Sequence, residues 1–344
     1  MKGIKVALLV GIATLLAFSA FSLINKKKQQ LSAVSPLAQE FTKWMQTHKI
    51  TFNTPKEYQY RLKVYGQTDA KIKTENAKQK NYVLGHNKFS HLTEQEFIAK
   101  YTGLKISTNY KRKTTPKVKP APKTLSQSPS VDWRTQGAVN PVKDQGQCGS
   151  CWAFSATASI EAVWKTSGHN LENLAEQQFV DCSTKFGNQG CNGGLMDDAF
   201  KYLMSVAGQE RTSDYPYTAK DGVCKYSAAK AVAKISGYAD VPKNDCKTLF
   251  TFATNQVTSV AIAANAIQSY KSGVFSNALC GTALNHGVAV VGYGHDNSVN
   301  KDFWIVRNSW GANWGEQGYI RMDRNVQTST GICGICMAAS APKA

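Results

Sequence analysis

Gln145-Gly146-Gln147-Cys148-Gly149-Ser150-Cys151-Trp152 is the stretch of the 344-residue chain that offers the most chemistry, and three readings compete for it. As a bare Cys-x-x-Cys, Cys148 and Cys151 are a redox pair. With Cys333-Gly334-Ile335-Cys336 they are four zinc ligands. In the third reading one cysteine is a nucleophile. Structural zinc sites place their two pairs roughly 15 to 20 residues apart, whereas 181 residues separate Cys151 from Cys333. A redox pair is expected after the first strand of a thioredoxin-like unit, and the local pattern lacks one. For a nucleophile, Cys151 opens a helical pattern, where unpaired amides favour thiolate over thiol. His286, in Leu284-Asn285-His286-Gly287-Val288, lies 135 residues on as a base, and Asn308, in Arg307-Asn308-Ser309-Trp310-Gly311, follows 22 later. Asn308 could fix the imidazole by accepting from its second nitrogen. Alone, each of these is an ordinary packing or loop residue; together they would supply a nucleophile, a base and a residue to orient it, a set that calls for no metal or cofactor.

Several elements must position these groups. Residues 150–166 read as a helix through Phe154, Ile160, Ala162 and Val163, with Ser150 as N-cap and Gly168 as stop. Strand patterns follow at 259–264, 287–294, 303–306 and 319–322. A helix-rich half followed by a strand-rich half implies an α+β fold with two lobes. Upstream, residues 37–97 are helical in pattern. Leu37, Phe41 and Trp44 share one face, and Tyr58, Leu62, Tyr65 and Ile72 another. Thr54-Pro55-Lys56-Glu57 and Thr93-Glu94-Gln95-Glu96 read as capped helix starts, with an extended run at Tyr82-Val83-Leu84-Gly85 between them. Residues 105–130 are rich in Lys, Thr, Pro and Ser without apolar periodicity, an exposed linker open to proteolysis, so a mature chain is expected to begin near 126–130.

The formal charge of +18 suggests a nucleic acid partner until it is divided. Residues 1–126 carry 23 Lys+Arg against 6 Asp+Glu, and residues 127–344 carry 18 against 17. The basicity belongs to the first third and does not mark a folded nucleic acid-binding face. All nine cysteines lie in the near-neutral part, which suits an oxidising compartment, and the odd number leaves at least one thiol unpaired. Residues 1–24 supply the route: Lys2 and Lys5, an apolar run from Val6 to Ile24, and small residues at Ala17 and Ser19 for cleavage. The alternative is an uncleaved anchor, since 19 apolar residues are just enough to span a bilayer and Lys26, Lys27 and Lys28 follow.

Val131-Asp132-Trp133-Arg134, Cys148 through Phe154, Cys191-Asn192-Gly193-Gly194-Leu195-Met196, Asn285-His286-Gly287 and Asn308-Ser309-Trp310-Gly311 occur in the order found in papain-family cysteine proteases. The chain resembles a cathepsin L-type preproenzyme of that family. The resemblance implies a helical left lobe, an antiparallel β-barrel-like right lobe and a cleft between them, preceded by a mainly helical inhibitory propeptide. The corresponding segments are 1–24 signal peptide, 25–104 propeptide, 105–126 linker and 127–344 peptidase domain. Carried over residue by residue, it makes Cys151 the nucleophile, His286 the base and later acid, and Asn308 the residue that orients it. Trp310 shields their hydrogen bond, and Gln145 completes an oxyanion hole with the Cys151 amide.

The same resemblance pairs Cys148 with Cys191, Cys182 with Cys224, and Cys280 with Cys333. Cys246 and Cys336 are left over, and are expected to be reduced and buried. The substrate subsite that receives the residue two places before the cleaved bond matches Leu195, Met196, Ala261, Leu284, Gly287 and Ala338, beside Asn285. Gly149, Gly193 and Gly194 line the cleft. With Ala rather than a carboxylate at 338, an apolar or aromatic residue is expected there, and since the sequence lacks the His-His insertion that makes cathepsin B a dipeptidase, endopeptidase action is expected. In the propeptide, Glu57, Arg61, Tyr65, Ile72 and Asn76 match the long-helix motif, with Thr68 replacing an expected Asn. Gly85, Asn87 and Phe89 match the next motif, but His91 stands for an expected Asp, so His91 protonation is expected to contribute to an acid trigger. No Asn-x-Ser/Thr sequon occurs. The expected setting is the secretory pathway, ending in a lysosome or other acidic vacuole or in secretion. Protein and peptide substrates are the expected partners of a monomer that meets membrane only through its signal sequence. The rival readings are a catalytically silent binding protein, a propeptide acting as an inhibitor in its own right, and a disulfide-exchange enzyme.

Overall fold

A computed structural model of the chain describes residues 35–106 and 129–344. The signal segment and most of the linker lie outside the described residues. The described residues divide into two compact units, on either side of the Gly66–Gln67 junction.

In the first unit, α1 (Pro36–His48) starts at Ser35, whose hydroxyl accepts from the Ala38 amide at 3.2 Å, with Pro36 at the first helical position. α2 (Pro55–Lys78) starts in this unit at Thr54, whose hydroxyl accepts from the Glu57 amide at 3.1 Å. The Glu57 carboxylate pairs with Arg61 at 2.7 Å rather than completing the expected capping box. The two apolar stripes meet: Phe41 is fully buried, with ring centroids 5.5 Å from Trp44 and 5.1 Å from Tyr65.

The second unit takes the rest of α2, with Ile72 in its core, then β1 (Tyr82–Leu84) and α3 (Glu94–Tyr101), which has a full Thr93/Glu96 capping box. β2 (Val131–Asp132) precedes the helices α4 (Cys151–Thr166), α5 (Glu176–Cys182) and α6 (Met196–Met204). A ribbon of β3 (Gln209–Glu210) and β4 (Ala231–Ala233) follows, then β5 (Gly237–Asp240), α7 (Cys246–Asn255), β6 (Thr258–Ile262) and β7 (Tyr270–Phe275). β8 (His286–Asp296), β9 (Lys301–Arg307), β10 (Tyr319–Asp323) and β11 (Ala339–Lys343) complete it. The main sheet runs β1-β7-β10-β9-β8-β6-β11-β5 with β2 on β8, antiparallel except where β10 meets β7. It is an open path, which corrects the expected barrel-like lobe. One end is extended by β1 from the leading region, and at the other the ring of Tyr238 on β5 packs against Phe200 of α6, 5.6 Å between centroids, so helix rather than strand covers that end.

Two apolar cores form. One lies in the sheet around Val260, Val290, Trp304 and Ile320, the other around Trp152, Phe179, Phe200 and Leu203. α4 is buried on every face from Cys151 to Val163. A helix so placed must satisfy its hydroxyls internally. Ser155 donates to the Val288 carbonyl at 2.7 Å and Ser159 meets Ser259 at 3.0 Å, which pins the helix to β8 and β6 and sets Cys151 against the head of β8.

The three disulfides implied by the resemblance are present, with Cα separations of 4.6, 4.8 and 5.2 Å. A fourth joins Cys246 to Cys336 across 5.1 Å, correcting the expectation of two reduced thiols. The amide of Asn244 donates to the Cys336 carbonyl at 2.9 Å, bringing the start of α7 to the 330–338 turn. Gly331 leaves room for the bridge, since a Cβ there would lie 2.7 Å from the Cys336 sulfur. Cys151 is the free cysteine, and it is buried.

Candidate active site

Cys151 is the first residue of α4. Ser150, expected to cap the helix, makes no side-chain cap; its hydroxyl pairs with that of Tyr217 at 2.6 Å. The Cys151 and Trp152 amides therefore stay available to a charge developing on the sulfur or beside it. The sulfur accepts from the Gly287 amide at 3.3 Å. Burial pushes the thiol up to about 12, with the amides of Gly287, Trp152 and Gly103 acting the other way.

His286 heads β8 and Asn308 follows β9, its antiparallel neighbour, so the sheet register delivers both to one place. The imidazole Nε2 lies 2.8 Å from Asn308 Oδ1. That oxygen also accepts from the Ser309 amide at 2.8 Å, which fixes the carboxamide's orientation. With Nε2 donating, Nδ1 is the nitrogen left to take a thiol proton. Burial holds the imidazole down at about 4, opposed by the Asn308 bond. Trp310 stacks on it with centroids 4.5 Å apart and is itself 1% exposed, so water is kept from that side of the ring.

Residues 101–105 lie along the site. Gln145 Nε2 donates to the Tyr101 carbonyl at 3.2 Å and to the Cys148 carbonyl at 2.9 Å, while its Oε1 accepts from the Ser309 hydroxyl at 2.6 Å. Trp310 Nε1 donates to the same Tyr101 carbonyl at 3.0 Å. Leu104 bridges Gly194 in parallel: Gly194 donates to the Gly103 carbonyl and Lys105 to the Gly194 carbonyl, both at 2.9 Å. The Gly103 and Leu104 amides donate to the Asn285 carbonyl at 3.1 and 3.0 Å. The approach is too close for a side chain. A Cβ on Gly103 would lie 2.0 Å from the Gly149 carbonyl oxygen, and one on Gly193, at φ +117°, 2.6 Å from that of Gly103. Lys88 forms an ion pair with Asp144, and Asn265 donates to Glu94 at 2.8 Å. His91 is half-buried in the turn before Thr93.

A cavity of about 220 Å³ adjoins the site, walled by the expected Leu195, Met196, Leu284 and Ala338 and by Met337 and Ile106. Ala261 and Gly287 do not line it; Ala261 is buried in the helical core, and Gly287 sits against Met196 and Cys151. Sequence reasoning missed Asp197, which also lines it and accepts from the Ser340 hydroxyl at 2.5 Å. Burial, and then the neighbouring Asp240, push its carboxyl well up, and Lys243 also lines the cavity. The only local sign was an acid directly after Leu195-Met196. Tyr101 acts through a backbone carbonyl, which no residue type announces.

The papain family cysteine protease model matches residues 127–343, and the cathepsin propeptide inhibitor domain model matches residues 41–97. The chain is 49% identical over 266 residues to the oryzain beta chain of Oryza sativa subsp. japonica, covering 75% of this chain and 55% of that one. With ananain of Ananas comosus it shares 41% identity over 88% of this chain and 86% of the relative. The chain thus spans just over half the length of the first relative and most of the second. Among solved structures, a recombinant stem bromelain precursor superposes with a TM-score of 0.81 at 40% identity, covering 90% of this chain and 99% of that one. Digestive procathepsin L 3 of Tenebrio molitor larval midgut gives 0.79 at 37%, covering 90% and 100%.

Proposed function

The chain belongs to the papain family of cysteine proteases, and from that premise we propose that it is a zymogen whose residues 127–344 act as an endopeptidase once the leading segment is removed. The reading rests on one observation above others: the Nε2–Oδ1 contact of 2.8 Å between His286 and Asn308, beside a free thiol at the head of a buried helix. With Asn308 holding the ring, His286 Nδ1 takes the Cys151 proton and the thiolate attacks the scissile carbonyl. The oxyanion meets Gln145 Nε2–H and the Cys151 amide. His286 then returns the proton to the leaving amine, and water hydrolyses the thioester by the same route.

Residues 25–104 serve as the inhibitor. The Tyr101 carbonyl holds the oxyanion donor, and the parallel pairing with Gly194 runs opposite to an antiparallel substrate strand, so no scissile bond is offered. The apolar cavity beside the site takes a Leu, Phe or Val side chain two places before the cleaved bond through buried area. Residues 1–24 direct the chain into the secretory pathway, residues 105–126 are the segment cut on activation, and the working compartment is acidic or extracellular. His91 contributes to the acid trigger, and the enzyme acts as a monomer.

Acid incubation of the proenzyme, followed by assay of fluorogenic peptides carrying Phe or Leu against Arg at the second position, tests this. Cleavage of the apolar peptides that is lost in Cys151→Ala is expected. Silence after the leading segment has demonstrably been removed would favour a binding protein instead.

A further inference from the structure

A second polar cluster adjoins the site and has no part in the chemistry above. Glu161 on α4 and Glu176 on α5 are each 1% exposed, and Arg307 at the end of β9 is 6% exposed. Lys143 donates to Glu176 at 2.8 Å and to the Leu174 carbonyl at 2.8 Å, and reaches Glu161 at 3.5 Å. Arg307 donates to the Pro141 carbonyl at 2.7 Å and stands 3.9 Å from Glu161 Oε2. Three buried atoms nevertheless have no hydrogen-bond partner within the protein: Glu161 Oε2, Arg307 Nε and Asn308 Nδ2. The orientation of Asn308 is not in doubt, because Oδ1 accepts from the Ser309 amide. A small cavity touches both Arg307 and Asn308, with about 10 Å³ open to the centre of a water molecule, which is room for one.

We propose that one ordered water in this cavity ties the Asn308 carboxamide to Arg307, whose guanidinium stands beside Glu161, making Arg307 a positioning residue for the catalytic machinery. The water accepts from one Asn308 Nδ2–H and from Arg307 Nε–H, which gives both of these buried atoms a partner. Arg307, through the water, then stabilises the carboxamide orientation that presents Oδ1 to His286. Without the water, Asn308 would bury two unpaired donors and gain by turning or shifting. The inference rests on the reading of His286 and Asn308 as catalytic.

Ala158 also lines the cavity, so Ala158→Val fills it with methyl groups and touches no charge, while Ala158→Gly leaves it open. The expected result for activated enzyme, normalised to titratable Cys151, is a kcat roughly 10- to 100-fold lower in Ala158→Val with KM unchanged, and a near-normal kcat in Ala158→Gly. A folded Ala158→Val enzyme with wild-type kcat would overturn the proposal. Should that variant not fold, a high-resolution crystal structure of the wild-type proenzyme decides: a water within hydrogen-bond distance of Asn308 Nδ2 and Arg307 Nε supports it, and a dry cavity overturns it. An inactive wild type would count against the proposed peptidase function and would leave the crystallographic water test standing.

Discussion

Gln145 Nε2 lies 3.2 Å from the carbonyl oxygen of Tyr101, a residue 44 positions upstream and outside the peptidase region. The donor assigned to a developing oxyanion is thus engaged by the segment that covers the site, and Trp310 donates to the same oxygen. One backbone carbonyl occupies the hydrogen-bonding position that a reacting substrate needs. Inhibition and catalysis would then draw on the same amide.

Replacing that amide separates the two roles. Gln145→Ala is expected to lower kcat of the activated enzyme by roughly 10²- to 10³-fold with little change in KM, since the lost bond is made in the transition state. Steady-state kinetics on an apolar peptide provide the check, and a loss confined to KM would remove Gln145 from the oxyanion hole.

Gly103→Ala probes the covering segment. A Cβ 2.0 Å from the Gly149 oxygen cannot be seated without moving the backbone. The intact variant zymogen should therefore show neutral-pH peptidase activity roughly 10- to 100-fold above the wild-type zymogen, on the scale of a moderate overpacking cost. Equal background activity would mean that residues 101–105 do not close the site.

The dyad also fixes a pH dependence. Covered, His286 is held at about 4 against an ordinary 6.5 by burial, so the covered form binds fewer protons there than an uncovered one. The contribution to closure is full above about 6.5, falls as pH drops and levels off below about 4, with a ceiling of roughly 3 kcal/mol. In the intact enzyme the uncovered imidazolium takes its proton from Cys151, so no net uptake occurs; Cys151→Ala exposes the dependence. Protection factors at the Gly103 and Leu104 amides, corrected for intrinsic exchange, should fall more steeply from pH 7 to 4 in Cys151→Ala than in Cys151→Ala/His286→Gln. Identical slopes would contradict it.

The fourth disulfide predicts a thiol count. Denatured, unreduced proenzyme should take up one equivalent of alkylating agent by intact mass, and three would mean that Cys246 and Cys336 are free. Cys246→Ser/Cys336→Ser should lower unfolding stability by about 2–4 kcal/mol, as for typical bridges.

What the sequence disclosed was the chemistry carried by side-chain type. Cys151, His286 and Asn308 stand in short motifs, and the helix and strand that hold the first two follow from apolar periodicity. What stayed hidden depends on long-range pairing or on backbone atoms. Cys246 and Cys336 are 90 residues apart, and only the fold brings α7 to the 330–338 turn. The sheet that family resemblance suggested was barrel-like is an open path with β1 added at its β7 edge, and nothing within Tyr82-Val83-Leu84 indicates which edge it joins. Asp197 reads as an ordinary first-turn helix acid, and its burial in the wall of an apolar cavity is a tertiary fact. The Ser150 cap failed for a related reason: Tyr217, 67 residues away, claims the hydroxyl.

Site-resolved alkylation tests the central claim most directly. Proenzyme and activated enzyme are treated with iodoacetamide at pH 6, Cys151 is quantified by peptide mass mapping, and residual peptidase activity is measured on the same samples. The account predicts slow labelling of the covered, buried thiol in the proenzyme. In the activated enzyme it predicts fast labelling, with activity lost in proportion to the Cys151 modified. Activity that persists after Cys151 is fully alkylated would contradict it.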